Sequence, residues 1–160
     1  MSVVCQGLPP RGATIGARRL SDAKGAVVFV GVGYTTRFYG SSGANDLHAD
    51  GYETYQPAYQ GELGYFTGSI GAGLKNIACG TSELIKWIVA DLADNPNNIG
   101  ALGFSAGSMQ LGYGLALYRL GEILDVVVLA SGPIQSDLVS TCFTTHSRHG
   151  VWFWTTPTTG

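Results

Sequence analysis

The sequence predicts an α/β fold, a three-layer open parallel sheet with helices on both faces, and three observations carry that prediction. Three apolar runs, GAVVFVGVG at 25–33, IGALGF at 99–104 and LDVVVLASGP at 124–133, are short and bounded by turn residues. Such runs mark strands buried on both faces rather than one. Helical periodicity fills the stretches between the last two and before the second. The order strand, crossover, helix, strand, helix, strand implies right-handed crossovers, which place helices on both sides of a parallel sheet.

The first strand closes at the glycines 31 and 33. From 33 to 80 runs a stretch rich in Gly, Ser, Tyr and Gln without clean periodicity. It exceeds an ordinary connection and is expected to be a long loop insertion, with room for a short helix or strand of its own. In CGTSELIKWIVADLADNPNN, Thr81 or Ser82 suits an N-cap and Glu83 the first turn. Ile85, Ile88, Val89 and Leu92 follow at i, i+3, i+4 and i+7 before NPNN stops the helix. The segment SMQLGYGLALYRL predicts a second helix ending at Gly121, and the third strand stops at Gly132 and Pro133. The tail 143–160 reads as irregular, because Trp152, Phe153 and Trp154 follow no amphipathic pattern. All of 1–160 reads as a single domain. The strand DVVVLA would leave an exposed sheet edge, a route to self-association.

Composition narrows the partners. The 160 residues are 45% hydrophobic, enough for a sizeable core, and only 12% charged with a formal net charge of −2. No nucleic-acid or anionic-membrane footprint follows from such a balance. No 18-residue apolar run is present, so no membrane span is expected, and the N-terminal segment lacks the pattern of a signal peptide, which makes the cytoplasm the default location. Cys5, Cys79 and Cys142 are too widely spaced for a zinc site and read as small buried hydrophobes, with a Cys79–Cys142 bridge as the alternative. GSIGAGLK departs from a phosphate loop because Leu74 separates Gly73 from Lys75 and no Ser or Thr follows. No metal and no organic cofactor is expected.

Gly103, Ser105 and Gly107 form G-x-S-x-G, directly after a buried strand and directly before a helix. Small residues on either side of a serine let the chain turn sharply and present the hydroxyl on a nucleophile elbow. The alternative is a plain turn or N-cap. In the elbow reading the Ala106 N–H at the helix N-terminus faces a developing oxyanion, and the loop carrying Gly33 and Tyr34 supplies the second donor of the oxyanion hole. His48, with Asp46, Asp50 and Glu53 nearby, suggests a metal less readily than a solvated acidic loop. Tyr34, Phe38, Tyr39, Tyr52, Tyr55, Tyr59, Tyr65 and Phe66 could line a substrate cleft or form a small core beneath the loop.

The chain from about Ala26 to Cys142 resembles the α/β-hydrolase superfamily, within it a group of bacterial and fungal serine-hydrolase-like proteins. VGVGYTTRFYG, GLKNIACGTSELIKWI, GFSAGSMQLGYGLALYRLGEILDVVVLASGPI and DLVSTC carry the likeness. It implies Ser105 as nucleophile and hydrolysis of a small-molecule carboxylic ester through an acyl-enzyme. Its chain order, serine then acid then histidine, admits Asp137 as acid and His146 or His149 as base. Glu122 and Asp125 fall between helix and strand, at the wrong end of the sheet. The superfamily continues for two more strands and a final helix, so the chain looks truncated against it. The alternative expectation is therefore a catalytically silent hydrolase scaffold acting as a binding or interaction module.

Overall fold

The computed structural model describes residues 2–3, 5, 11–31, 41–59, 73–132 and 152–155. The strands are β1 (Ser2–Val3), β2 (Arg11–Arg18), β3 (Gly25–Val30), β4 (Tyr52–Tyr59), β5 (Ile99–Phe104), β6 (Val126–Ala130) and β7 (Trp152–Thr155). The helices are α1 (Ser41–Ala49), α2 (Gly73–Trp87) and α3 (Ala106–Leu117), with a π-helical turn at Ile88–Leu92 and a 3-10 turn at Leu120–Glu122.

Seven strands form one sheet in the order β1-β2-β4-β3-β5-β6-β7. Its centre, β4-β3-β5-β6, is parallel, as expected for the apolar runs. The outer pairs β1-β2, β2-β4 and β6-β7 are antiparallel, so the sheet as a whole is mixed. Alternate residues of the strands divide between its faces. Ala26, Val28, Val30, Ile99, Ala101, Val127 and Leu129 are buried in the main core with Leu84, Ile85 and Ile88 of the second helical segment and Leu111 of α3. On the other face, Val27, Leu102, Val126 and Val128 line a groove of about 430 Å³ with Leu47 of α1 and Tyr52. Helices thus lie on both faces, but apolar surface remains open there, Val126 at 47% and Phe104 at 41% exposure.

The stretch 33–80 is more than a loop insertion, since α1, β4 and the start of α2 fall within it. β4 sits between β2 and β3 although Pro57 interrupts its N–H series, and Pro57 stands opposite Ile15 of β2. Glu53, fully buried on β4, is held by a ring of donors. Its Oε1 accepts the Leu20 N–H at 3.2 Å, and its Oε2 accepts the Asp94 N–H at 2.9 Å and the Tyr55 hydroxyl at 2.8 Å. Arg19 Nε adds an ion pair at 3.5 Å from the solvent side. These bonds tie the β2–β3 connection and the end of the second helical segment to β4. The acidic stretch around His48 is therefore no solvated loop: His48 is on α1 and Glu53 is core.

Three further expectations are corrected. Helix α2 begins eight residues before Thr81, so Thr81 and Ser82 are not caps. Both are fully buried, and the Thr81 hydroxyl bonds Gln110 Oε1 of α3, while Gly114 leaves the space beside Ser82 that lets the two helices approach. Cys79 is bridged to Cys5, across 74 positions of sequence, rather than free or bonded to Cys142, which lies outside the described residues. Within the tail expected to be irregular, Trp152–Thr155 forms β7 and covers the β6 edge that was expected to be open.

Candidate active site

Between Phe104, the last residue of β5, and Ala106, the first of α3, only Ser105 is available to turn the chain from strand to helix. It does so at φ 55°, ψ −120°. For a residue with a Cβ such a conformation costs on the order of 1–3 kcal/mol and persists only where the surroundings enforce it. The Ser105 N–H donates to Ala130 O at 2.9 Å, and Ser105 O accepts the Ser108 N–H at 3.0 Å. The turn is thereby fastened to β6 on one side and to α3 on the other.

Close approach explains the small residues. A Cβ on Gly107 would sit 1.9 Å from Val30 O, at the end of β3, and one on Gly103 would meet the Gly107 backbone at 2.8 Å. Neither position admits a side chain without moving strand or helix backbone. A Cβ on Gly132 would fall 2.1 Å from Ser105 O. Gly132, legible in the sequence only as the stop of a strand, backs the Ser105 turn, and Ser131 before it stands at φ 56°.

The place in the sheet matters as much as the turn. The chain passes from β3 outward to β4 on one side, and from β5 outward to β6 on the other. Strand order reverses between β3 and β5, and in open α/β sheets ligands bind in the crevice beyond the carboxyl ends at such a point. Ser105, half-buried, follows β5 there, and β3 ends beside the first turn of α3, where Val30 and Gly31 stand against Gly107. The first N–H groups of a helix have no intrahelical acceptor and carry its positive dipole end, so Ala106 lies where negative charge is stabilised.

Of the expected site residues, the structure brings together Ser105 and Ala106. Gly33, Tyr34, Asp137, His146 and His149 lie outside the described residues. Asp125 is at the opposite end of the sheet, where its Oδ2 accepts the Ile99 N–H at 2.8 Å, and Glu122 pairs with Arg119 at 2.6 Å. Tyr55 is core and Tyr52 faces the groove on the α1 side; Tyr34, Phe38, Tyr39, Tyr65, Phe66 and the Tyr59 side chain fall outside the described residues. Among the described residues no group of His, Cys, Asp and Glu could hold a metal ion.

No protein-family model matches the chain, and no curated protein matches it. Solved structures do. An α/β-hydrolase enzyme from the metagenome of lagoon sediments at Mar Chica, Morocco, is 17% identical over 82% of this chain and 53% of its own, with a TM-score of 0.52. The Pyrococcus furiosus esterase Pf2001 is 19% identical over 88% of this chain and 51% of its own, with a TM-score of 0.56. Est1E from Butyrivibrio proteoclasticus, solved with ferulic acid bound, is 14% identical over 79% of this chain and 50% of its own, with a TM-score of 0.53. The chain spans about half the length of these structures. At such identities the likeness is one of fold, and that fold is the α/β-hydrolase fold.

Proposed function

We propose that the chain is a serine hydrolase that cleaves a carboxylic ester through an acyl-enzyme on Ser105. The observation that carries this reading is the Ser105 backbone, held at φ 55° between β5 and α3 at the reversal of strand order. A strained serine turn of this kind is the nucleophile elbow of G-x-S-x-G hydrolases. That the structural neighbours include esterases supports the reading, and one of them holds an aromatic carboxylic acid.

The chemistry divides into two acyl transfers. Ser105 Oγ attacks the ester carbonyl carbon while its proton passes to His146 or His149, oriented by Asp137. The oxyanion that forms is held by the Ala106 N–H and by a second N–H, from Gly33 or Tyr34. Collapse breaks the carbonyl–alkoxy bond, the histidine returns the proton to the leaving alcohol, and the acyl group stays on Ser105. Water, deprotonated by the same histidine, then releases the acid. Phe104, exposed beside Ser105, offers apolar surface to the acyl or aryl group. The reaction requires no metal and no organic cofactor.

Hydrolysis of p-nitrophenyl acetate and butyrate by the purified chain tests this. The wild-type protein is expected to turn over and Ser105→Ala, equally folded by circular dichroism, to lose that activity. Equal rates in the two would remove Ser105 from the reaction. Inertness of the folded wild-type protein would favour the catalytically silent scaffold.

A further inference from the structure

We infer that Ser108 is a positioning residue for Ser105, its hydroxyl fixing the turn that presents the Ser105 Oγ. The inference rests on the reading of Ser105 as nucleophile. Ser108 is fully buried in the first turn of α3. A helical serine commonly turns its hydroxyl back to the carbonyl four residues earlier, within its own helix. Ser108 reaches out of the helix instead. Its Oγ lies 2.9 Å from Gly103 O on β5 and 2.8 Å from Ala130 O on β6.

Ala130 O also receives the Ser105 N–H at 2.9 Å. One carbonyl therefore anchors both the strained residue and the hydroxyl three positions on, and the Ser108 N–H closes the same turn onto Ser105 O at 3.0 Å. Packing alone would not call for the hydroxyl, because alanine is the better helix former at this position. Gly132 packs against the same turn, since a Cβ there would come within 2.8 Å of the Ser108 Cβ. A loosened turn would leave the nucleophile in place in the sequence and misdirected in space.

The test compares wild type, Ser108→Ala and Ser108→Cys, the last retaining a weaker donor, by hydrogen exchange at the Ser105 amide and by the rate of fluorophosphonate adduct formation. The Leu102 amide, inside β5, is the reference. With one hydrogen bond removed, Ser108→Ala is expected to speed Ser105 exchange about tenfold at unchanged Leu102 exchange, with Ser108→Cys between. The adduct rate should fall in parallel, and ester turnover should lose kcat at constant KM. Wild-type exchange at Ser105 and a wild-type adduct rate, with only the melting temperature lowered, would make Ser108 a packing residue and overturn the inference. If wild type forms no adduct, the proposed hydrolase activity fails, and Ser105 exchange alone decides the role of Ser108. Should Ser108→Ala not fold, Ser108→Cys is judged by the same two readouts.

Discussion

Replacing Cys5 and Cys79 together by serine removes a cross-link that spans 74 positions, nearly half the chain. Cys5 is buried, and Cys79 is half-buried on α2 against the main core, so the bridge pins the N-terminal segment to that helix. In the chain-entropy description, a cross-link of this span restricts the unfolded ensemble enough to contribute about 4 kcal/mol at 25 °C. A domain of this kind has a total stability of only about 5–15 kcal/mol, so the loss would be a large fraction of it. Urea denaturation followed by circular dichroism reads the effect. With an m-value of about 2 kcal/mol/M, the midpoint should fall by roughly 2 M, and reductant should shift wild type to nearly the same place. Thiol titration in denaturant without reductant should find a single free thiol, that of Cys142, and three after reduction. Three free thiols before reduction would refute the pairing. A double variant that unfolds within about 0.5 M of oxidised wild type would refute the entropic account of what the bridge does.

Other perturbations have definite directions. Gly107→Ala places a methyl 1.9 Å from Val30 O and should cost about 3 kcal/mol in the same urea assay, with no stable fold as the extreme outcome. Glu53→Gln leaves the Leu20 and Asp94 N–H groups facing an amide that accepts at one oxygen only, a loss of about 2–3 kcal/mol, whereas Arg19→Ala should change little because that side chain is 57% exposed. Burial, reinforced by the hydrogen bond to Glu53 and by its charge, raises the Tyr55 hydroxyl above its ordinary value near 10. The unfolded chain then loses this proton first, so the Tyr55 contribution is whole below about pH 10 and declines as pH rises toward the folded-state value; Tyr55→Phe should flatten that decline in pH-dependent denaturation. Ser105→Gly, free of the penalty for positive φ, should gain about 1 kcal/mol in thermal or urea unfolding while abolishing turnover.

What could be read from the sequence was whatever local pattern decided alone. β3, β5 and β6 are continuous apolar runs, and Ile85 and Ile88 are spaced for one helical face; each emerged where expected. β4 was hidden because its burial is polar. Glu53 and Gln56 are buried, Pro57 breaks the N–H series, and the buried Glu53 is made tenable by donors from Leu20, Asp94 and Tyr55 together with Arg19. β2 has small residues and weak alternation, and it is defined by its pairing with β4. Thr81 and Ser82 have the composition of a cap, but Gly114 on α3 gives them a helix to pack against. β7 has no pattern of its own and exists through its register with β6.

The site followed the same division. G-x-S-x-G is local, so Ser105, Ala106 and the two glycines were legible. Gly132 and Ser108 were not, since their significance comes from β6 arriving beside β5. A polar residue in the first buried turn of a helix after such a motif is the signal that could have pointed to Ser108.

The measurement that bears most directly on the central claim is intact-mass labelling with a fluorophosphonate, on native protein, on Ser105→Ala and on unfolded protein. The reagent reacts with an activated serine rather than with serine as such. The account predicts one adduct on the native chain, absent from Ser105→Ala and from the unfolded control. No adduct on folded wild-type protein, or an adduct that survives Ser105→Ala, would contradict it.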